Sequence, residues 1–293
     1  MKKNPIIGII GGSGLYNIEG LSNNKWQTIS TPFGKTSDKI YSAQYSTLKI
    51  MFIPRHGRNH QLPPHRINYR ANIYALKKLC VTDIISISAV GSLKKNHKPG
   101  DFILVDQFLD RTLDRPRTFF DKDLVAHVSL ANPISKDLSD LIYQSRKNNK
   151  NIKIGGTYIA IEGPQFSTYA ESILFKSWNC DVIGMTNMPE ARLCREAELG
   201  YASISMVTDF DCWNKSHEEV TVEQVIKIMQ NNTKKVQSLL LELFKKILNL
   251  DSWNWNNPIY NNLNNAIITN TKNVSRKTLK DLSPIIKRYL KEK

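Results

Sequence analysis

Apolar positions along this chain fall into two alternating textures. Short runs that are apolar at nearly every position occur at residues 5–10, 48–53, 83–90, 101–105, 157–161, 182–185 and 202–208. A strand covered on both faces reads this way, because neither set of alternating side chains meets water. Between these runs, apolar residues recur every third or fourth position. Residues 68–80 place Ala71, Ala75, Leu76 and Leu79 on one face, and 168–178 and 188–199 are helical as well. The clearest helix spans 221–248. Thr221 and Gln224 form a capping-box pattern at its start, and Val222, Val225, Ile226, Met229, Val236, Leu240, Leu243 and Ile247 follow at helical spacing. Strands alternating with helices predict an α/β fold, a single domain with a central mixed β-sheet flanked by helices. No repeat or linker divides the chain. The texture changes after Leu250, where 251–265 is rich in Asn and Trp and poor in aliphatics. A main domain at 1–250 is therefore expected, with an extension at 251–293 packed on the same body. That extension would hold a short strand at 266–269 and a final helix at 275–291.

Charge changes this picture little. The chain has 41 Lys and Arg against 26 Asp and Glu, a net charge of +15. Such an excess suits nucleic acid, an anionic membrane surface or small anionic substrates. Here the basic residues are scattered, and the largest cluster, 272–293, reads as a solvated helix. Neither a nucleic-acid nor a membrane partner is expected. Cys80, Cys180, Cys194 and Cys212 form no C-x-x-C pair, which argues for reduced thiols rather than a metal site. The N-terminal apolar run is broken by glycines and is too short to span a bilayer, so a cytoplasmic location is expected.

The candidate chemistry sits at the ends of the predicted strands. Gly11-Gly12-Ser13-Gly14 follows the first strand and frees backbone N–H groups to face an anion, with the Ser13 hydroxyl beside them. Neither dinucleotide-fingerprint spacing nor a P-loop lysine is present, so alone it equally fits a tight turn. Residues 55–60, RHGRNH, follow the second run. Arg55 suits a fork-like grip on phosphate oxygens, His56 adds a second donor, and His60 reaches a sugar or gates the site. A basic surface loop is the commoner fate of such a cluster. Ser88 and Ala89 end the third run ahead of Gly91. Phe166 suits stacking on a planar base, and Ser167 suits either the base edge or a helix cap. Asp209 and Asp211 close the last run. Two apart on a strand, they point the same way and can share one proton. Such a carboxyl can protonate a ring nitrogen while its partner accepts from an exocyclic amine. Spacing alone also fits two solvated loop acids. Taken together, an anion grip, a ring platform and an acid pair suit phosphate attacking a purine nucleoside.

GGSGL, PRHGRNH, SAVGSL, EGPQFSTYAES and the stretch 183–213, IGMTNMPEARLCREAELGYASISMVTDFDCW, together resemble the methylthioadenosine phosphorylases of the trimeric purine nucleoside phosphorylase family. The resemblance runs from about Ile6 to Leu248. It implies phosphorolysis of S-methyl-5′-thioadenosine to adenine and 5-methylthioribose 1-phosphate. No metal or organic cofactor would be needed, and inorganic phosphate would be the co-substrate. By the same resemblance Ser13, Arg55, His56, Ser88 and Thr186 would bind phosphate, with Ser13 and Ser88 standing where many members carry Thr. Met185 would lie against the ribose, Glu190 falls in the same motif without an assigned role, and His60 belongs to the substrate site. Ala89, Phe166, Ser167, Asp209 and Asp211 would frame the base, with Asp209 and Asp211 as the catalytic acids. Val222, Val225 and Ile226 would line the 5′-methylthio pocket. His127 would reach a neighbouring subunit's site, which implies a trimer or a dimer of trimers. The paired Asp residues favour a 6-amino over a 6-oxo purine. A phosphorylase for methylthioinosine or other purine nucleosides is the alternative, and a hydrolytic nucleosidase and a nucleic-acid-binding protein are the remaining rivals.

Overall fold

A computed structural model describes residues 4–147, 149–214 and 222–290; the side chains of Ser13, 222–227, 229 and 230 lie outside that description. So does the capping box expected at Thr221 and Gln224.

The sheet is mixed, and its central strands are the apolar runs of the sequence. β1 (Ile6–Gly11), β4 (Leu48–Pro54), β5 (Asp83–Ser92) and β11 (Gly200–Phe210) run parallel, in the order β4-β1-β5-β11. β2 (Ser22–Gln27) and β3 (Ile40–Tyr45) extend the β4 edge antiparallel. β6 (Phe102–Leu104) and β8 (Ile152–Ile154) continue beyond β11. β5 outruns β1 and is met at Gly91 and Ser92 by β10 (Val182–Gly184), which leads on to β9 (Thr157–Ile161) and β7 (Gln107–Arg111). The carboxyl ends of β1, β4, β5 and β11 thus open on one edge, where α/β proteins place their ligands.

Strand alternation divides the core between the two faces. Ile7 and Ile9 join Ile85, Ile87, Ile204 and Met206 under α2 (Lys136–Gln144) and the long α5 (Val222–Leu248). Ile10, Ile84 and Tyr201 face α1 (Tyr69–Lys78) and α4 (Asn187–Glu196), while α3 (Tyr169–Ser177) packs Phe175 into a smaller third cluster. On the α4 face the middle of β5 and β11 is polar. Ser86, Ser88, Ser203 and Ser205 are all buried there.

The C-terminal expectations need correction. No strand forms at 266–269; Ile267 makes only an isolated bridge to Ala126. The helix expected over 275–291 is broken into α6 (Arg276–Asp281), α7 (Ser283–Ile286) and a 3-10 turn, because Pro284 brings no N–H to continue the ladder. The extension is nonetheless bonded to the body: Tyr260 donates to Asp83 (2.8 Å), and Glu198 accepts from the Leu263 amide (2.8 Å).

Candidate active site

The anion half of the site begins where β1 and β4 end together. Gly11 pairs with Pro54, and the Arg55 amide donates to the Gly11 carbonyl at 2.9 Å. The chain then turns through Gly57, whose φ of +76° is strained for any residue with a Cβ.

Arg55 does not extend into solvent as a fork for a ligand. It is 2% exposed, and Glu190, on the first turn of α4, grips it through both carboxylate oxygens at 3.0 and 3.1 Å. Its remaining donors reach the carbonyls of Ile87 and Ile10 and the Ser86 hydroxyl. One Nη1 hydrogen is left uncommitted by these bonds. Burial alone would favour discharging the guanidinium; the charge and hydrogen bonds of Glu190 outweigh it and hold Arg55 protonated. Glu190 also accepts from Ser86 (2.6 Å) and Tyr201 (2.9 Å), so every member of this buried ion pair has partners.

His56 departs from the expected donor role. Its Nδ1 lies 2.8 Å from the Leu62 carbonyl, an acceptor only, so Nδ1 carries the proton. Burial, with Arg55 and His60 adding to it, pushes the imidazole down to about 4. A neutral ring with a protonated Nδ1 presents a lone pair at Nε2, which accepts rather than donates. His60 stacks on it, centroids 4.5 Å apart.

Ser88 and Thr186 lie nearby and are 7% and 6% exposed. Ser88 sits within 3.4 Å of Asn187 Oδ1. Thr186 occupies the N-cap of α4 without capping it, and its amide donates to the Tyr158 hydroxyl (3.3 Å). Met185 lies against Gly163.

The purine half is built by the far end of β11. Val207 pairs with Val90, but Asp209 pairs with Gly91, so Thr208 is an extra residue that resets the alternation. Asp209 Oδ1 and Asp211 Cβ would lie 3.1 and 3.4 Å from a Cβ at Gly91. A Cβ there would crowd Ile183 and Asp209, and both acids lie on the same side of Gly91 even though Asp211 lies just past β11. Burial pushes Asp209 up to about 6, opposed by the 2.6 Å hydrogen bond from Thr208 and reinforced by Asp211. Asp211 is raised by burial as well. Asp211 Oδ2 and Ser167 Oγ are buried without a hydrogen-bond partner among the described residues. Thr168, not Ser167, caps α3, in a capping box with Glu171. Ala89 is half-buried beside this end of β5, and Phe166 is 61% exposed. Val222, Val225 and Ile226 occupy the first turns of α5, and their side chains, like that of Ser13, are outside the description. His127 is exposed, and its amide is bonded to Ala266.

The model of the Phosphorylase superfamily matches residues 6–245. This chain belongs to the phosphorylase superfamily. Among its relatives in that superfamily, the S-methyl-5′-thioadenosine phosphorylase of Rhodospirillum rubrum is 46% identical over 289 residues, 98% of each chain. That of Geobacter sulfurreducens is 44% identical over 287 residues, 97% of this chain and 99% of its own. A methylthioadenosine phosphorylase crystal structure from an antarctic soil metagenomic library superposes with a TM-score of 0.89 at 39% identity, covering 97% of this chain and 99% of the other. The Schistosoma mansoni methylthioadenosine phosphorylase in complex with adenine superposes with a TM-score of 0.81 at 34% identity, covering 89% and 98%.

Glu190, named from the sequence without a role, is joined in the candidate site by Asn187 and Arg115, which the sequence motifs do not single out. Glu190 and Asn187 are three apart on the first turn of α4, a spacing that puts both on one helix face. That spacing was the available signal. Arg115 left none. It is 5% exposed and donates to Glu162, to the Tyr69 hydroxyl and to the carbonyls of Met185 and Met188, tying the β9 and β10 ends together. Its acceptors are mostly main-chain atoms, which no residue pattern reveals.

Proposed function

We propose that this chain phosphorolyses S-methyl-5′-thioadenosine, releasing adenine and 5-methylthioribose 1-phosphate, with inorganic phosphate as co-substrate and no metal or organic cofactor. The observation that carries this reading is the buried acid pair beside Gly91, where Asp211 Oδ2 meets no close hydrogen-bond donor among the described residues except the neighbouring Ser172 hydroxyl. An unpartnered buried acceptor costs about 1–3 kcal/mol, which an exocyclic amine would relieve and a 6-oxo group would not. The names of the relatives support the same substrate.

The chemistry follows from the two halves. A phosphate oxygen forms the bond to C1′ as the bond from C1′ to the purine nitrogen breaks, with positive charge developing on the ribose between them. The electron pair of the broken bond moves onto the purine, and the pair Asp209 and Asp211 supplies a proton to its imidazole ring. Ser13, Ser88 and Thr186 offer hydroxyls to the phosphate, Arg55 offers its uncommitted hydrogen and nearby charge, and His56 Nε2 accepts a hydrogen bond from the hydroxyl of hydrogen phosphate. Met185 lies under the ribose, with His60 at its edge. Phe166, Ser167 and Ala89 frame the base, and Val222, Val225 and Ile226 receive the methylthio group.

The working form in this proposal is a homo-oligomer, a trimer or a dimer of trimers, acting in purine and methionine salvage in the cytoplasm. The exposure of Leu113 (69%), Phe166 (61%) and Ile268 (66%) supports association, as does that of His127. The deciding measurement is purine release from methylthioadenosine with and without inorganic phosphate, run beside methylthioinosine. Phosphate-dependent release of adenine, with methylthioinosine poorly used, is expected. Release independent of phosphate would make the chain a hydrolase. Preference for methylthioinosine would remove the acid pair from the 6-position.

A further inference from the structure

We propose that Asn187 is a positioning residue for phosphate, holding the Ser88 hydroxyl and the Thr186 backbone where the anion binds. The proposal rests on the assignment of Ser88 and Thr186 to phosphate made above.

Asn187 is fully buried, at 0% exposure, between α4 and the polar strip of β5 and β11. Register pairs Ser86 with Ser203 and Ser88 with Ser205, giving four serines in two rungs. The Asn187 amide crosses between the strands. Its Oδ1 lies 3.3 Å from Ser86 Oγ and 3.4 Å from Ser88 Oγ, and its Nδ2 donates to Ser203, which lies 3.3 Å from Ser205. Ser86 has only one hydrogen, and Glu190 is the closer acceptor at 2.6 Å. Asn187 Oδ1 is therefore left to Ser88. That contact is long, so a phosphate oxygen can take over the hydrogen while the amide still limits where the oxygen sits.

The same turn of chain keeps the Thr186 hydroxyl from capping α4 and leaves it beside Tyr158. A threonine at an N-cap ordinarily gives its side-chain oxygen to the amide of the second or third helical residue. Here the third is Pro189, which has no N–H, and the second, Met188, is not helical (φ −116°, ψ 134°). Thr186 accordingly makes no side-chain cap bond. Its backbone is then held by its own amide bond to Tyr158 and by the anchored side chain of the next residue, Asn187.

A residue that merely satisfied buried serines would affect stability and both substrates alike. A positioning residue for phosphate splits them. The test is steady-state kinetics with phosphate and methylthioadenosine varied separately, for Asn187→Ala and Ser203→Ala, with Ser88→Ala and Thr186→Ala alongside. Asn187→Ala should raise KM for phosphate about 10- to 100-fold, with KM for methylthioadenosine changed less than about threefold. Ser203→Ala removes only the anchor of the amide and should shift the phosphate KM in the same direction by about threefold to tenfold; it carries the test if Asn187→Ala does not fold. Parallel rises in both KM values, or a lowered Tm with unchanged phosphate KM, would overturn the positioning role while leaving the site intact. An unchanged phosphate KM in both Ser88→Ala and Thr186→Ala would instead overturn the placement of phosphate, and the proposal with it.

Discussion

The two halves of the site are built differently. In the anion half Arg55, Glu190, Asn187 and Ser86 are 2%, 1%, 0% and 0% exposed, and each is hydrogen-bonded within the chain. In the purine half Phe166 is 61% exposed, and Ser167 Oγ and Asp211 Oδ2 have no partner among the described residues. The ion pair of the first half is completed by folding; the second half has buried polar atoms without a close partner among the described residues. Charge explains the difference. A buried guanidinium is tolerable only when its counter-charge and hydrogen bonds are already in place. Buried acceptors without donors can persist where a ligand supplies them, and burial raises their affinity for protons, as the proposed proton transfer to the leaving purine requires.

Breaking the anion half should therefore cost stability first. Glu190→Ala leaves Arg55 as an uncompensated buried cation and also strips an acceptor from Ser86 and Tyr201. A loss of about 3–5 kcal/mol is expected, read from urea unfolding at pH 7. A loss below about 1 kcal/mol would mean that water reaches Arg55, and the contrast between the halves would fail.

Changing the purine half should cost rate instead. Asp209→Asn is expected to lower kcat by about 100- to 10,000-fold with little change in the phosphate KM. Its stability should not fall, since a neutral amide replaces a carboxyl that burial already disfavours in its charged form. The pH profile gives the sign. With the protonated carboxyl proposed as the donor and its value raised to about 6 in the free chain, kcat/KM for methylthioadenosine should be level below that pH and decline above it. The decline should vanish in Asp209→Asn. If it survives, the titrating group is another.

How much of this was legible in the sequence follows the same division. The runs at 83–90 and 202–208 became β5 and β11 because both faces of these strands are covered, and continuous burial leaves a continuous apolar signature. The two acids were visible as a pair because they stand two apart in sequence, although a bulge at Thr208 precedes them and Asp211 lies past the end of β11. What was hidden depended on partners distant in sequence. Arg55 read as a ligand fork, since its pairing with Glu190 spans 135 residues. His56 read as a donor, since nothing in RHGRNH tells that Nδ1 meets the Leu62 carbonyl. β2, whose sequence SNNKWQ is mostly exposed, had no apolar signature to read. α2 carries a readable signal of its own: Leu138, Leu141 and Ile142 keep helical spacing behind the Ser135 cap.

The smallest expected effects lie on the rim of the purine half, and they sharpen the contrast most. Thr168→Ala removes the capping box of α3 and should cost about 1 kcal/mol, with a looser Ser167 and Phe166 as its consequence. Phe166→Ala removes a ring that is already 61% exposed in the single chain, so its folding stability should change by less than about 0.5 kcal/mol. If the ring stacks on the base as proposed, a contact worth about 0.5–1.5 kcal/mol, KM for methylthioadenosine should rise by roughly twofold to tenfold while KM for phosphate stays put. A stability loss of 2 kcal/mol or more, read in the same unfolding assay, would give a different answer. It would mean that a second copy of the chain covers Phe166, and that the purine half, like the anion half, is completed by folding and assembly before any substrate arrives.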